Sequence, residues 1–275
     1  MKTITDKNEA LEGISDTENY GNALLYCSEE LRNDREVVLA AVRRHGQALE
    51  DASEELKNDR EVVLEAVKED AQSLQFASDE LKNNREVVLE AVLQKGWALT
   101  FASDELKNDR EVVFVALVDE NAEDYRVILD ASIKLQNDRK FILMVANRVP
   151  RALEYFSEEF RNDREVVLQA VKQDGRALEF ASEELKNDRE VVLQAVKKDS
   201  RAMEFAANEF KNDREVVLQA VKHNPLYLAS VSDEFKNDRE VVVQAVKQLQ
   251  GYALQYASKE LQNDSEIRQI AGLDE

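Results

Sequence analysis

Apolar positions along this chain fall into a helical pattern that repeats as a block. Each block opens on Asn, at 33, 58, 83, 108, 137, 162, 187, 212, 237 and 263, with 25 residues between most of them, 29 after Asn108 and 26 after Asn237. Counted from that Asn, apolar residues occupy positions 5, 6, 7, 9 and 10, while 4, 8 and 11 are polar. At ~100° per residue these positions cover about 200° of a helix, a face wide enough for burial on both sides. Asn58 and Glu61 read as an N-cap and its partner three residues on, and Lys at position 11 suits the helix end. Apolar positions 16, 17, 19, 20 and 24 predict a second helix after the loose Gly at position 14. An Ala-Ser pair ends that helix, and the Ser caps one further turn, as in Ser182-Glu183-Glu184-Leu185-Lys186.

A fixed period of this length predicts an array in which each unit packs only on its neighbours. A leucine-rich repeat is excluded because Val62-Val63-Leu64-Glu65-Ala66-Val67 is helical in pattern rather than alternating. A coiled coil is excluded because Asn-Asp interrupts every heptad run. The fold expected is all-α, an α-solenoid of about ten tandem helical-hairpin repeats forming a single domain over residues 1–275. Within it, 1–32 would be an N-terminal capping repeat, 33–136 and 137–262 two repeat blocks, and 263–275 a C-terminal cap. Glu12, Asp16 and Arg268 stand where apolar residues belong, as terminal units require, which makes the array look complete.

Composition narrows the function classes. Asp and Glu number 57 against 37 Lys and Arg, a net charge of −20, which argues against nucleic-acid backbones and anionic membranes as partners. No apolar run is long enough to span a bilayer, the first residues lack a secretory block, and one cysteine fits a reducing compartment. A soluble, intracellular, cytoplasmic protein is expected.

Leu56 to Val67 (Leu-Lys-Asn-Asp-Arg-Glu-Val-Val-Leu-Glu-Ala-Val) and Ala177 to Leu185 resemble the repeat of the "domain of unknown function 4116" family. The resemblance runs from about Gly21 to Ile270 and is weakest between Asn108 and Gln136. It implies a helical repeat with no enzymatic activity attached, found in intracellular bacteria and protists and sometimes in candidate host-directed effectors. It carries over no functional residues.

Candidate chemistry is sparse. His45 and His223 sit in links of different units, so no His-based catalytic or metal site is expected. Cys27 takes the position of Ala52, Ala77, Ala102 and Ala181 and reads as a small buried residue. Ser53, Ser78 and Ser103 lack a partner base and read as caps. Carboxylates recur with the period as solvated faces, and no Gly-rich phosphate loop occurs. No catalysis and no cofactor are expected.

Units differ at two exposed sets. Position 15 carries Arg126, Arg151, Arg176 and Arg201 in four consecutive units, against Asn22, Gln47, Gln72 and Trp97 before them and Leu226 and Tyr252 after. These cations either line a groove for an acidic peptide or pair locally with Glu154, Glu179 and Glu204 three residues on. At positions 8 and 11, Val115, Met144, Leu93 and Val118 replace the usual Glu, Gln and Lys. With Trp97 nearby they read as an apolar interface, or as a face covered by the enlarged link from Asp119 to Tyr125. The expected function is a non-catalytic scaffold for a protein or acidic-peptide partner, with a homodimer through residues 93–144 as one oligomeric form. An acidic inhibitor or nucleic-acid mimic acting through bulk charge is the alternative.

Overall fold

The computed structural model of the chain describes residues 3–15, 22–118 and 125–273. Contacts divide the chain into two compact units, Met1–Asp138 and Arg139–Glu275, each a stack of the same module. Among the described residues the regular structure is helical, with one isolated bridge between Ile4 and Cys27. The chain folds as an all-α repeat solenoid.

One module comprises the α-helix Arg60–Glu69, the 3-10 helix Ala71–Phe76 and the single-turn helix Asp79–Lys82. In the second unit its counterparts are Arg164–Gln173, Gly175–Phe180 and Glu183–Lys186. Val62, Val63, Ala66 and Val67 are fully buried, while Leu64 is only half-buried. The apolar face is therefore narrower than the sequence pattern suggests, with position 7 at its edge. Each buried Val contributes roughly 1.5–3 kcal/mol relative to exposure, so packing between modules dominates their stability.

The second helix is 3-10 rather than α, except in the last module, where Gly251–Leu254 is α. Only six residues separate the link from Ala77, whose extended backbone (φ −64°, ψ 157°) ends the element. Runs this short close i→i+3 bonds readily, as from Ala77 N–H to the Leu74 carbonyl at 3.2 Å. Leu74 and its counterparts Leu99, Leu178 and Leu228 point fully into the core. The position-14 glycine is not loose. A Cβ on Gly175 would stand 2.3 Å from the Ala195 carbonyl oxygen of the next module's helix, so the glycine permits a close backbone approach.

The helix cap also differs from expectation. Asp59, not Asn58, caps Arg60–Glu69: its Oδ1 accepts from the Glu61 N–H at 2.9 Å and the Val62 N–H at 3.1 Å. Its Oδ2 accepts from Nε of Arg35, in the preceding module, at 2.9 Å, and Arg35 also pairs with Glu61. Glu61 thus faces the neighbouring module instead of closing a capping box. The same arrangement joins Arg164 to Asp188 and Glu190, Arg189 to Asp213 and Glu215, and Arg214 to Asp238 and Glu240.

Asn58 instead ends the preceding turn, where its carbonyl oxygen accepts from the Ser78 hydroxyl and its amide donates to Glu80 at 3.2 Å. That Ser oxygen also accepts from the Leu81 N–H at 3.2 Å, and the Ser78 N–H donates to the Lys57 carbonyl at 3.0 Å. Ser thus caps its own turn, as its position predicts, and stitches it to the module before. At the start of the chain, Lys7 takes the Arg role by pairing with Asp34 and Glu36. There Ser28 N–H donates to the Ile4 carbonyl at 2.8 Å.

The Arg partner holds the carboxyls of Asp59, Asp163, Asp188, Asp213 and Asp238 below their ordinary value, and the capped N–H groups add to the effect. Lys7 does the same for Asp34.

Two predictions follow from these seams. Asp188→Ala removes a cap worth about 1 kcal/mol together with an exposed ion pair worth about 0.2–1 kcal/mol. It should cost about 1–2 kcal/mol in chemical denaturation. Asn84 caps its helix at 3.1 and 3.2 Å but leaves Arg60 with Glu86 alone. Asn84→Asp should therefore stabilise, by up to about 1 kcal/mol.

The depressed carboxyls set a further expectation. In acid the folded chain binds fewer protons at these sites than the unfolded one, so their contribution is complete above the unfolded value of about 4. It is lost as pH falls through the folded values. Carboxyl 13C signals of these Asp residues should titrate below about 3.9, and midpoints at or above that value would refute the assignment.

Candidate interaction surfaces

Position 15 is the second residue of the 3-10 helix and is exposed or half-buried from Gln47 onward. In the second unit Pro150–Tyr155 packs beside Gly175–Phe180, which packs beside Ser200–Glu204, so Arg151, Arg176 and Arg201 lie on neighbouring elements. The three are not equivalent. Asp199 holds Arg201, whose Nε reaches both carboxylate oxygens at 3.1 and 3.0 Å and whose Nη2 lies 2.7 Å from Oδ2. Arg151 is exposed, Arg176 is half-buried, and among the described residues neither side chain forms an ion pair. The expected local pairs with Glu154, Glu179 and Glu204 are not formed. Extended Asp199 aims its carboxylate back over the helix start, where it caps the Arg201 N–H at 2.9 Å. Arg126 is exposed on Tyr125–Asp130 in the first unit.

Beside Arg201 the ridge opens into a cleft of about 390 Å³. Tyr227 stands there where most other modules have Ala, and Ser230 where most have Phe or Tyr. With the ring moved along the element, Met203, Leu226 and Tyr227 line an open notch, and Leu226 is 44% exposed. Burial, followed by the nearby Glu204, raises the Tyr227 phenol above its ordinary value.

The apolar set divides. Leu93 is 66% exposed and Met144 40%, whereas Val115 and Val118 are half-buried. Leu93 and Val115 lie on the packed helices Arg85–Gln94 and Arg110–Leu117 of the first unit, and Met144 is in the second. Residues 119–124, the link expected to cover this face, lie outside the described residues. Trp97 is 39% exposed and meets Phe101 edge to face, with ring centres 6.1 Å apart.

Sequence reasoning missed a second apolar set. Leu129 and Ile133, 53% and 71% exposed, occupy positions 18 and 22 of the module that opens on Asn108. The signal was available, since those positions are Glu50 and Glu54, or Glu179 and Glu183, in other modules. The longer link displaced the numbering there and hid it.

The Cys27 thiol is buried, and burial raises its ordinary value. Ser53, Ser78 and Ser103 cap turns. His223 Nδ1 accepts from the Ser200 N–H at 3.3 Å, and His45 is half-buried in its link. Among the described residues no group of three His, Cys, Asp or Glu could hold a metal ion, and no helix is long and apolar enough to cross a membrane.

The family described as "Domain of unknown function (DUF4116)" matches residues 17–57, 39–82, 59–105, 84–122, 138–185, 163–211 and 213–262. The chain belongs to the DUF4116 family. Each match spans roughly two modules, and the stretch between 122 and 138, where Leu129 and Ile133 sit, falls outside all of them. No curated protein and no solved structure matches the chain.

Because Arg176 carries no ion pair, Arg176→Ala should leave stability unchanged within about 0.5 kcal/mol, whereas Arg164→Ala should lower the denaturation midpoint measurably.

Proposed function

We propose that this protein is a non-catalytic intracellular scaffold that binds a partner protein through an acidic segment laid along the 3-10 ridge of its second unit. The observation that carries this reading is the pair Arg151 and Arg176, accessible cations without ion pairs on a chain of net charge −20. The other recurring Arg side chains at position 3 are engaged in seams, so this pair can take new carboxylates bidentately. The notch at Met203, Leu226 and Tyr227, two modules along the ridge from Arg176, suits an apolar side chain of the same segment.

A second reading, an inhibitor or mimic that engages a basic partner, draws on the exposed carboxylates of the single-turn helices, among them Glu158, Glu183 and Asp233.

Partner capture followed by identification separates the two. Arg151→Glu/Arg176→Glu should abolish binding of an acidic partner without changing stability. A partner that is basic, is retained by this variant and is released steeply by salt would overturn the first reading and support the second.

A further inference from the structure

We infer that the face formed by Leu129, Ile133 and Lys134 is a self-association surface, occupied by a second copy of this chain. The single-turn helix of each module places two exposed residues at positions 22 and 23. They are Glu54-Glu55, Asp79-Glu80, Asp104-Glu105, Glu158-Glu159, Glu183-Glu184 and Asp233-Glu234 in most modules. Every other described module keeps at least one acid there, including Asn208-Glu209 and Lys259-Glu260. Only Ile133-Lys134 has none, and Leu129, four residues earlier, stands where four modules carry Glu50, Glu154, Glu179 and Glu204.

This module has not decayed. Ser132 still caps its turn at 3.2 Å and still donates to Asn108 at 2.6 Å, its N–H still reaches the Lys107 carbonyl at 2.8 Å, and Arg110 still pairs with Asp138. The two acids of the turn are replaced while these seam bonds are kept, so the change belongs to the surface.

Charge selects the occupant. Two molecules of net charge −20 repel wherever their acidic ridges meet. Among the described single-turn helices, Ile133–Gln136 is the one across which two copies can meet without juxtaposing acids. There the two aliphatic side chains, 53% and 71% exposed, gain burial, and Lys134 of each copy can approach the other's carboxylates. The same repulsion gives a signature that an acid–base complex lacks: salt screens it, so association should strengthen as salt is raised.

The test is the mass of the full chain in solution by sedimentation equilibrium, over a range of protein concentrations, at about 50 mM and about 500 mM salt. The wild type should rise from 31.4 kDa toward twice that value with concentration, and further at the higher salt. Leu129→Glu/Ile133→Glu installs the residues other modules already carry, so folding is safe, and this variant should remain at 31.4 kDa throughout. Leu93→Glu, on the other apolar set, should dimerise like the wild type. A wild type that stays monomeric at both salts, a double variant that still dimerises, or loss of the dimer in Leu93→Glu alone would each overturn the inference. Arg151→Glu/Arg176→Glu should leave the mass unchanged, so failure here and failure of the partner-binding reading are separate results.

Discussion

The carboxylate at the second position of most modules holds two structures at once. One oxygen of Asp188 accepts the first free N–H groups of its own helix, and the other accepts the guanidinium of the module before. A helix of ten residues is marginal alone, and a lone hairpin cannot bury both of its apolar faces. Coupling the helix start to a neighbour's side chain makes each module's order depend on its neighbour's. Asn84 ranks the two duties. Its amide oxygen keeps both N–H bonds while Arg60 turns to Glu86 alone, so the cap is the constant element and the ion pair the adjustable one.

The backbone part of the seam is more tolerant than its side chains. Ala207 stands where other modules have Ser and can neither cap its turn nor reach the Asn before it. Its N–H still donates to the Lys186 carbonyl at 3.1 Å, so that bond survives loss of the cap. The seam thus has layers: packed Val and Leu supply most of the free energy, the backbone bond sets the spacing, and Ser, Asn, Asp and Arg define the geometry.

Much of this was legible in the sequence, because a repeat displays its pattern many times over. The period, the helical spacing of Val62, Val63, Ala66 and Val67, and Ser as the cap of the single turn all read directly. Asn58 and Asp59 did not. Both are good capping residues, and only the neighbouring module, which offers Ser78 to one and Arg35 to the other, decides between them. The 3-10 winding escaped for the same reason, since apolar spacing over six residues fits either helix. The Arg ridge was legible as a column but not in its pairing. Asp199 sits two residues before Arg201, a spacing that a regular α-helix would not bring together.

Charge explains why the surface matters more than its acidity suggests. Acids at positions 2 and 4 are countered by the Arg of the preceding module, whereas those at positions 22 and 23 stand on the exposed single turn, where Glu54, Glu183 and Asp233 meet only a Lys three residues on. Those positions are where one module can abandon the pattern at small cost. When Lys134 replaces Glu, the amide of Asn108 loses the acceptor that Asn83 finds in Glu105 at 3.0 Å. A hydrogen bond of this kind contributes about 0.5–1.5 kcal/mol, less than one buried Val. The module can therefore exchange an acidic, solvating edge for an apolar one while its core and seam hold. Architecture and surface character are in this way written at different positions of the same 25 residues.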